Sequence, residues 1–148
     1  MHYISTRGET APLTFSEAML AGLARDGGLY VPQTYPALTP DEIAAFAGRP
    51  YADVAQAVIA PYLGGEIDAR SLAQMLEAAY ATFGHAAITP LVQLDDNLFF
   101  LELFHGPTLA FKDVAMQLLA RMMDHVLGER DQRLTIVGAT SGERVTLD

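Results

Sequence analysis

The run Leu98-Phe99-Phe100-Leu101-Glu102-Leu103-Phe104, followed by His105-Gly106-Pro107-Thr108 and then Leu109-Ala110-Phe111-Lys112-Asp113, decides the fold. The apolar run is short and nearly unbroken, as in a strand buried on both faces. Gly106 and Pro107 supply a turn, since proline presets its own φ and glycine removes the side chain that would crowd a bend. From Asp113 onward, Val114, Leu118, Met122 and Val126 recur at helical spacing and predict an amphipathic helix that ends near Gly128. Leu134-Thr135-Ile136-Val137 reads as a second strand, opening into Gly138-Ala139-Thr140-Ser141-Gly142. Strand, loop, helix, strand and glycine-rich loop is the order of an α/β domain with a parallel sheet.

Upstream of this region the signals are helical. Thr14 with Glu17 three positions later fits a capping box, and Phe15, Ala18, Met19 and Leu23 supply the apolar face behind it. Asp26-Gly27-Gly28 is a turn, and Leu29-Tyr30-Val31 before Pro32 reads as a short strand. Thr39-Pro40-Asp41-Glu42 repeats the start signal, with proline at the first helical position, where a missing N–H removes no bond. A third helix runs from Tyr51 toward Leu63, with Val54, Val58 and Tyr62 on one stripe and Pro61 placed to kink or shorten it. Gly64-Gly65 breaks the chain. Leu72, Met75, Leu76, Ala79, Tyr80 and Phe83 mark a fourth helix, with Gly84 where a C-terminal cap belongs. Residues 9–84 read as packing and demand no chemistry. The change of pattern puts a domain boundary within residues 86–90: a helical α+β domain over 1–86, then the beginning of an α/β domain over 87–148.

Composition narrows the function classes. The chain has 148 residues, 51% of them hydrophobic and 18% charged, which is globular rather than disordered. A formal net charge of -9 argues against a nucleic-acid partner, because neutralising phosphates needs clustered Lys and Arg. With no cysteine, disulfides, thiolate metal sites and cysteine nucleophiles are excluded together. The opening Met1-His2-Tyr3-Ile4 lacks a basic region followed by an apolar run, and no stretch approaches the length of a membrane span, so the expected compartment is the cytoplasm.

Of the nine basic residues, eight are arginine and one, Lys112, is lysine. A coding bias toward arginine accounts for the scarcity on its own. Yet an amine can lose its proton and condense with an aldehyde, which a guanidinium cannot do. Lys112 also falls at the expected start of a helix, where the partial positive charge of the N-terminus disfavours an ammonium and so favours a neutral amine. The plainer reading is a solvated lysine whose stem packs on Phe111. Gly138 to Gly142, after an expected strand, could cradle an anion with backbone N–H groups and the hydroxyls of Thr140 and Ser141, or could be a simple turn. His105 could serve as an acid or base, or could hold its turn. Ser5, Thr6 and Arg7 could meet a phosphate or merely face water. Asp95-Asp96 reads as a polar turn between strands, with no metal-ligand spacing around it.

Taken together, the run from Leu101 through His105 and Lys112 to Asp113 resembles, residue for residue, the cofactor-lysine signature of threonine synthases. Tyr3-Ile4-Ser5-Thr6-Arg7-Gly8 and Gly22-Leu23-Ala24-Arg25-Asp26-Gly27-Gly28-Leu29-Tyr30-Val31-Pro32 look like the N-terminal domain of that family, so the resemblance spans residues 1–142. It implies a lyase of the second fold type among pyridoxal 5'-phosphate enzymes, in which Lys112 binds the cofactor as a Schiff base. The implied activity converts O-phospho-L-homoserine and water to L-threonine and phosphate, the last step of threonine biosynthesis. The lysine amine, freed by substrate, would move protons while the cofactor acts as electron sink. His105 and Phe111 would lie close to the cofactor. Thr140, Ser141 and Gly142 match the start of a family loop that contacts substrate or cofactor.

The chain also departs from the pattern. The family continues from Ser-Gly with Asp-Thr-Gly, whereas Glu143-Arg144-Val145-Thr146-Leu147-Asp148 stands here. Glutamate lengthens the side chain, and Val145 replaces a permissive backbone position with a β-branched one. Family members are much longer, and their phosphate-gripping glycine loop has no match in this sequence. The expectation is therefore a threonine-synthase fragment, inactive as an isolated chain. Two readings compete with it. One is a non-catalytic interaction module built on the N-terminal part. The other is a nucleotide- or phosphate-binding α/β domain, weakened by the lack of a P-loop lysine or a dinucleotide fingerprint.

Overall fold

In the computed structural model, residues 1–136 are described, and Cα packing divides the chain into two compact units, Met1–Ala73 and Gln74–Asp148. The first unit opens with strand β1 (Tyr3–Ser5), which pairs antiparallel with β2 (Tyr30–Pro32) in the register Tyr3 to Pro32 and Ser5 to Tyr30. Between them lies α1 (Phe15–Ala21), and after them α2 (Pro40–Ala44). Both helices start as their sequences predict. Thr14 and Thr39 each accept an N–H bond from a glutamate three residues on, and that glutamate returns a bond to the cap backbone. Two otherwise orphaned donors are thereby satisfied at each end.

Helix α3 (Tyr51–Ile59) passes into a 3-10 turn, Ala60–Leu63. Pro61 has no N–H to continue the α-helical ladder, so the chain tightens there, as expected. Gly64 then takes φ +62°, and a Cβ on it would lie 2.6 Å from the Met1 nitrogen. Only glycine fits that turn. Leu63, Ile67, Leu72, Ala18, Ala24 and Ala55 are the buried apolar residues of this unit. The Tyr3 hydroxyl donates to the Tyr62 carbonyl at 2.9 Å, and burial, with Tyr62 and Glu66 adding to it, raises the phenol above its ordinary value.

Glu66 closes the N-terminus of α1 a second time. Its carboxylate accepts from the Phe15 N–H at 2.8 Å, from the Ser16 N–H at 3.3 Å and from the Ser16 hydroxyl. Partial burial pushes this carboxyl up, but the bonds from the Ser16 hydroxyl, the Phe15 and Ser16 amides and Thr14 outweigh it and hold the group below its ordinary value.

Helix α4 (Ala69–Tyr80) includes the border between the units. In the second unit its residues Leu76, Ala79 and Tyr80 are buried. Phe83 lies just beyond the helix and meets Tyr80 edge-on at 5.5 Å between ring centres. Gly84 is not a C-terminal cap: the helix ends four residues earlier, and the Gly84 N–H donates to the His105 carbonyl at 2.8 Å. A hairpin follows, β3 (Leu91–Asp95) and β4 (Leu98–Leu101), turning at Asp96 and Asn97, one residue beyond the expected Asp95-Asp96, because Asp95 still pairs with Leu98. Helix α5 (Asp113–Glu129) buries Leu118, Met122 and Val126 on one face, the spacing read from the sequence.

Three expectations for this unit change. The run from Leu98 to Phe104 is not a buried strand. Only Leu98–Leu101 is extended, and every residue of β4 is exposed. Its only sheet partner among the described residues is β3, so both faces of the hairpin remain open to solvent. Both described sheets are two-stranded and antiparallel, and no parallel pair occurs among the described residues. Leu134, Thr135 and Ile136 form no strand, while Val137 and the glycine-rich loop with Thr140, Ser141 and Gly142 lie outside the described residues. Among the described residues no helix is long and apolar enough to cross a membrane.

Candidate functional site

The site is built on the segment between β4 and α5. Lys112 is the N-cap residue of α5, with φ -64° and ψ -23°, so its backbone is already helical. Its carbonyl accepts from the amides of Ala115 and Met116, which anchors the Cα to the first helical turn. The ammonium sits 5.5 Å from the centre of the Phe111 ring, within range of a cation–π attraction. The helical start and the neighbouring aromatic ring, both expected from sequence, are therefore present together. Phe111 itself is more than half exposed, so its ring offers a flat apolar face toward solvent.

His105 stands seven residues earlier, at the entry of the turn. Its Nε2 lies 2.7 Å from Oε2 of Glu102, and both side chains are partly buried. An ionised carboxylate only accepts, so Nε2 carries the hydrogen in that bond. The ring packs at 4.7 Å from Phe104 and 5.2 Å from His85. His105 thus holds the start of the loop through its carbonyl, its ring and its Nε2 together.

Asp113 is the residue that sequence reasoning missed. It is 1% exposed, a buried carboxylate in the first turn of α5. Oδ2 accepts from the Thr108 N–H at 2.8 Å and Oδ1 from the Thr108 hydroxyl at 2.8 Å. A Cβ on Gly106 would fall within 2.8 Å of the Asp113 Cγ, so the glycine is required by the closeness of that carboxylate. Next to Thr108, Leu109 adopts φ +61°, a left-handed conformation that strains a branched side chain by roughly 1–3 kcal/mol. Surrounding bonds must hold such a residue, and the Thr108 to Asp113 pair is beside it. The sequence signal was an acid opening a helix five residues after the threonine of a Gly-Pro turn.

Within the Ser5, Thr6 and Arg7 cluster Ser5 is buried and Thr6 and Arg7 are exposed, and all three bond to residues of their own unit. Ser5 Oγ donates to Asp26 Oδ1 at 2.8 Å, Arg7 Nη1 donates to the Asp26 carbonyl at 3.0 Å, and Thr6 Oγ1 accepts from the Leu29 N–H at 3.0 Å. Desolvation pushes the Asp26 carboxyl up, but bonds from Gly28, Ser5 and Glu9, with the nearby Arg7 charge, hold it below the ordinary aspartate value. These groups knit β1 to the turn before β2. Among the described residues no group of three or more His, Asp or Glu side chains is arranged to hold a metal ion.

Fold and site place this chain among mixed α+β proteins that present a lysine at the junction of a braced loop and a helix. The chain belongs to the threonine synthase family: the family model described as threonine synthase N terminus matches residues 2–80. A threonine synthase of Pseudomonas aeruginosa is 52% identical over 143 residues, covering 97% of this chain and 30% of that protein. The crystal structure of a pyridoxal-phosphate-bound threonine synthase from Brucella melitensis superposes with a TM-score of 0.93 at 64% identity, over 97% of this chain and 31% of that one. Yeast threonine synthase gives 0.82 at 36% identity, over 88% and 27%. The chain thus spans just under a third of the length of the relatives it matches.

Proposed function

We propose that this chain is the N-terminal portion of a pyridoxal-phosphate-dependent threonine synthase, in which Lys112 makes the covalent bond to the cofactor. The reaction of the whole enzyme would convert O-phospho-L-homoserine and water to L-threonine and phosphate, in the cytoplasm. On this reading residues 1–86 form the N-terminal domain, consistent with a family match that stops at residue 80. Residues 87–148 would begin the catalytic domain, whose parallel sheet would need strands beyond the antiparallel hairpin described here.

The carrying observation is the placement of the chain's one lysine at the first turn of α5, beside an aromatic ring and on a tied loop. These residues fit the aldehyde end of the cofactor, with Lys112, Phe111 and His105 as the groups that would hold it. When bound, the cofactor supplies an electrophilic carbon for the amine and an electron sink for substrate carbanions. Lys112 Nζ acts first as a nucleophile, which requires loss of one proton, and then moves protons on the substrate side. Phe111 offers an apolar ring on one side of that nitrogen, against which the bound cofactor would lie. His105, fixed by Glu102, orients the loop. Thr140, Ser141 and Gly142 are carried as substrate contacts by resemblance alone.

The test is direct. Mixing the purified chain with pyridoxal 5'-phosphate and then borohydride should leave a stable adduct on the peptide containing Lys112. Lys112→Arg keeps the charge and should abolish it. An adduct only on the Met1 amine, or an undiminished adduct in the arginine variant, would overturn the assignment. Because the chain spans just under a third of the relatives' length, phosphate release from O-phospho-L-homoserine by this chain alone is expected to be undetectable.

A second reading, a non-catalytic interaction module, is favoured by one feature, the exposed apolar hairpin with Leu91, Leu94, Leu98, Phe99, Phe100 and Leu101. Exposed apolar patches of this kind mark association surfaces. Affinity capture from the source extract that returns no stoichiometric partner would count against it.

A further inference from the structure

We infer that Asp113 is a positioning residue for Lys112: its buried carboxylate, clamped on Thr108 and seated against Gly106, fixes the loop that aims the lysine amine. The inference rests on the cofactor role proposed for Lys112, but it concerns how the amine is held and not what the amine does.

The geometry leaves the carboxylate no solvent role. At 1% exposure, its charge is compensated by the Thr108 N–H and hydroxyl, both at 2.8 Å, and by the N-terminus of α5. Those bonds join residue 108 to residue 113 across the four residues that include Leu109 and Lys112. Backbone bonds from Leu109 to Gly106, from Asp113 to Ala110 and from Val114 to Phe111 also tie this stretch. The Lys112 carbonyl accepts from Ala115 and Met116, so the helix fixes the lysine's carbonyl side while the Thr108 clamp fixes the loop that enters it. With Leu109 held in a left-handed conformation, relaxing the clamp would let the loop fall back to ordinary φ values and swing the chain that carries Lys112. A structural acid that only capped α5 would bond to the helix's own first amides. Asp113 reaches backward instead, across the lysine.

The chain's single lysine makes the test clean. Reductive methylation with labelled formaldehyde gives one side-chain carbon resonance from Lys112, separate from that of the Met1 amine. The parent should show this signal displaced from its urea-unfolded position. Asp113→Leu is close in shape and accepts neither Thr108 bond, whereas asparagine would keep both by turning the Thr108 hydroxyl round to accept. Asp113→Leu should return the signal most of the way to the unfolded position while α5, followed by far-ultraviolet circular dichroism, persists. Adduct formation with pyridoxal 5'-phosphate should slow by about tenfold or more, the loss of hydrogen bonds to a charged group. Thr108→Val should act in the same direction, and Thr108→Ser, which keeps both donors, should recover most of the loss.

An Asp113→Leu chain whose lysine resonance and adduct rate match the parent overturns the inference. So does a loss that Thr108→Val fails to reproduce. If the parent forms no adduct at all, the cofactor role fails, and the resonance alone still decides whether the clamp positions the amine. Should α5 unfold in Asp113→Leu, the two Thr108 variants carry the same comparison.

Discussion

The first unit and the hairpin of the second stand in opposite conditions. In Met1–Ala73 the polar side chains that look available in sequence are committed to one another: Ser5 and Arg7 to Asp26, Glu66 to Phe15 and Ser16, Thr14 to Glu17. Its large apolar residues Leu63 and Leu72 are almost completely buried. In the hairpin the reverse holds. Leu98, Phe99, Phe100 and Leu101 are exposed, and most hydrogen bonding there is the ladder between two strands. The first region satisfies most of its own polar chemistry, with the buried Thr10 hydroxyl unpaired among the described residues and Leu23, Leu29 and Ile43 exposed, while the hairpin leaves every large apolar residue open. A family resemblance spread evenly over the sequence therefore covers two physically different pieces, one built to hold itself together and one built to be covered.

The largest test of that contrast is a core truncation in the first unit. Leu72→Ala should lower its stability by about 2–5 kcal/mol, as removing a buried leucine leaves a cavity that neighbours fill only in part. Urea unfolding followed by circular dichroism reads the change. A loss under about 1 kcal/mol would mean that the unit is loosely packed and the contrast overstated.

A smaller effect is expected at Glu66. Glu66→Gln keeps the shape but removes the charge from three hydrogen bonds, and for a partly exposed group the loss should be about 1 kcal/mol. The pH dependence gives its sign. The carboxyl lies below its ordinary 4.5 in the folded chain, so its contribution is complete above that value and disappears as pH falls through the lower folded value. Urea midpoints taken from neutral pH down to about pH 3 should fall in the parent, with a shallower fall in Glu66→Gln. Parallel curves for the two proteins would remove Glu66 as a contributor. Asp26 and Glu42, whose carboxyls also lie below their ordinary values, remain in both and supply residual slope.

Local signals were the legible part of this molecule. Both capping boxes, the proline break at Pro61, the glycine pair after it and the stripe of Leu118, Met122 and Val126 follow from interactions spanning at most a few turns. The placement of Lys112 at a helix start belongs to the same class. What could not be read was whatever depends on distant partners. An apolar run says that a strand wants cover, but not that cover is present, so the Leu98 run looks buried in sequence and is open in the structure. Glu66 reaches back fifty residues to Ser16, and no periodicity announces that. Asp113 was hidden differently: it reads as an ordinary acid of the first helical turn, and only its burial shows that it serves Thr108. The lysine was visible because its chemistry is rare in this chain, whereas its support was invisible because acids are common.

The smallest effect should come from the hairpin itself, and it bears most directly on the contrast. Phe99 and Phe100 are successive strand residues, so they project to opposite faces, and they are 52% and 57% exposed. A buried phenylalanine truncated in a core would lose about 3–5 kcal/mol. Here each residue is paired across the ladder, Gln93 opposite Phe99 and Val92 opposite Phe100, and such pairs are worth about 0.2–1 kcal/mol. Phe99→Thr and Phe100→Thr keep a residue suited to strands, so each should shift stability by less than about 1 kcal/mol. Urea unfolding measures that, and sedimentation at several concentrations gives the complementary reading. If either substitution lowers stability by as much as a core truncation, the ring is covered in solution. A concentration-dependent midpoint would then assign the cover to a second copy of the chain. If both are nearly neutral and also make the chain more soluble, the two faces are open, and the first unit stands without them.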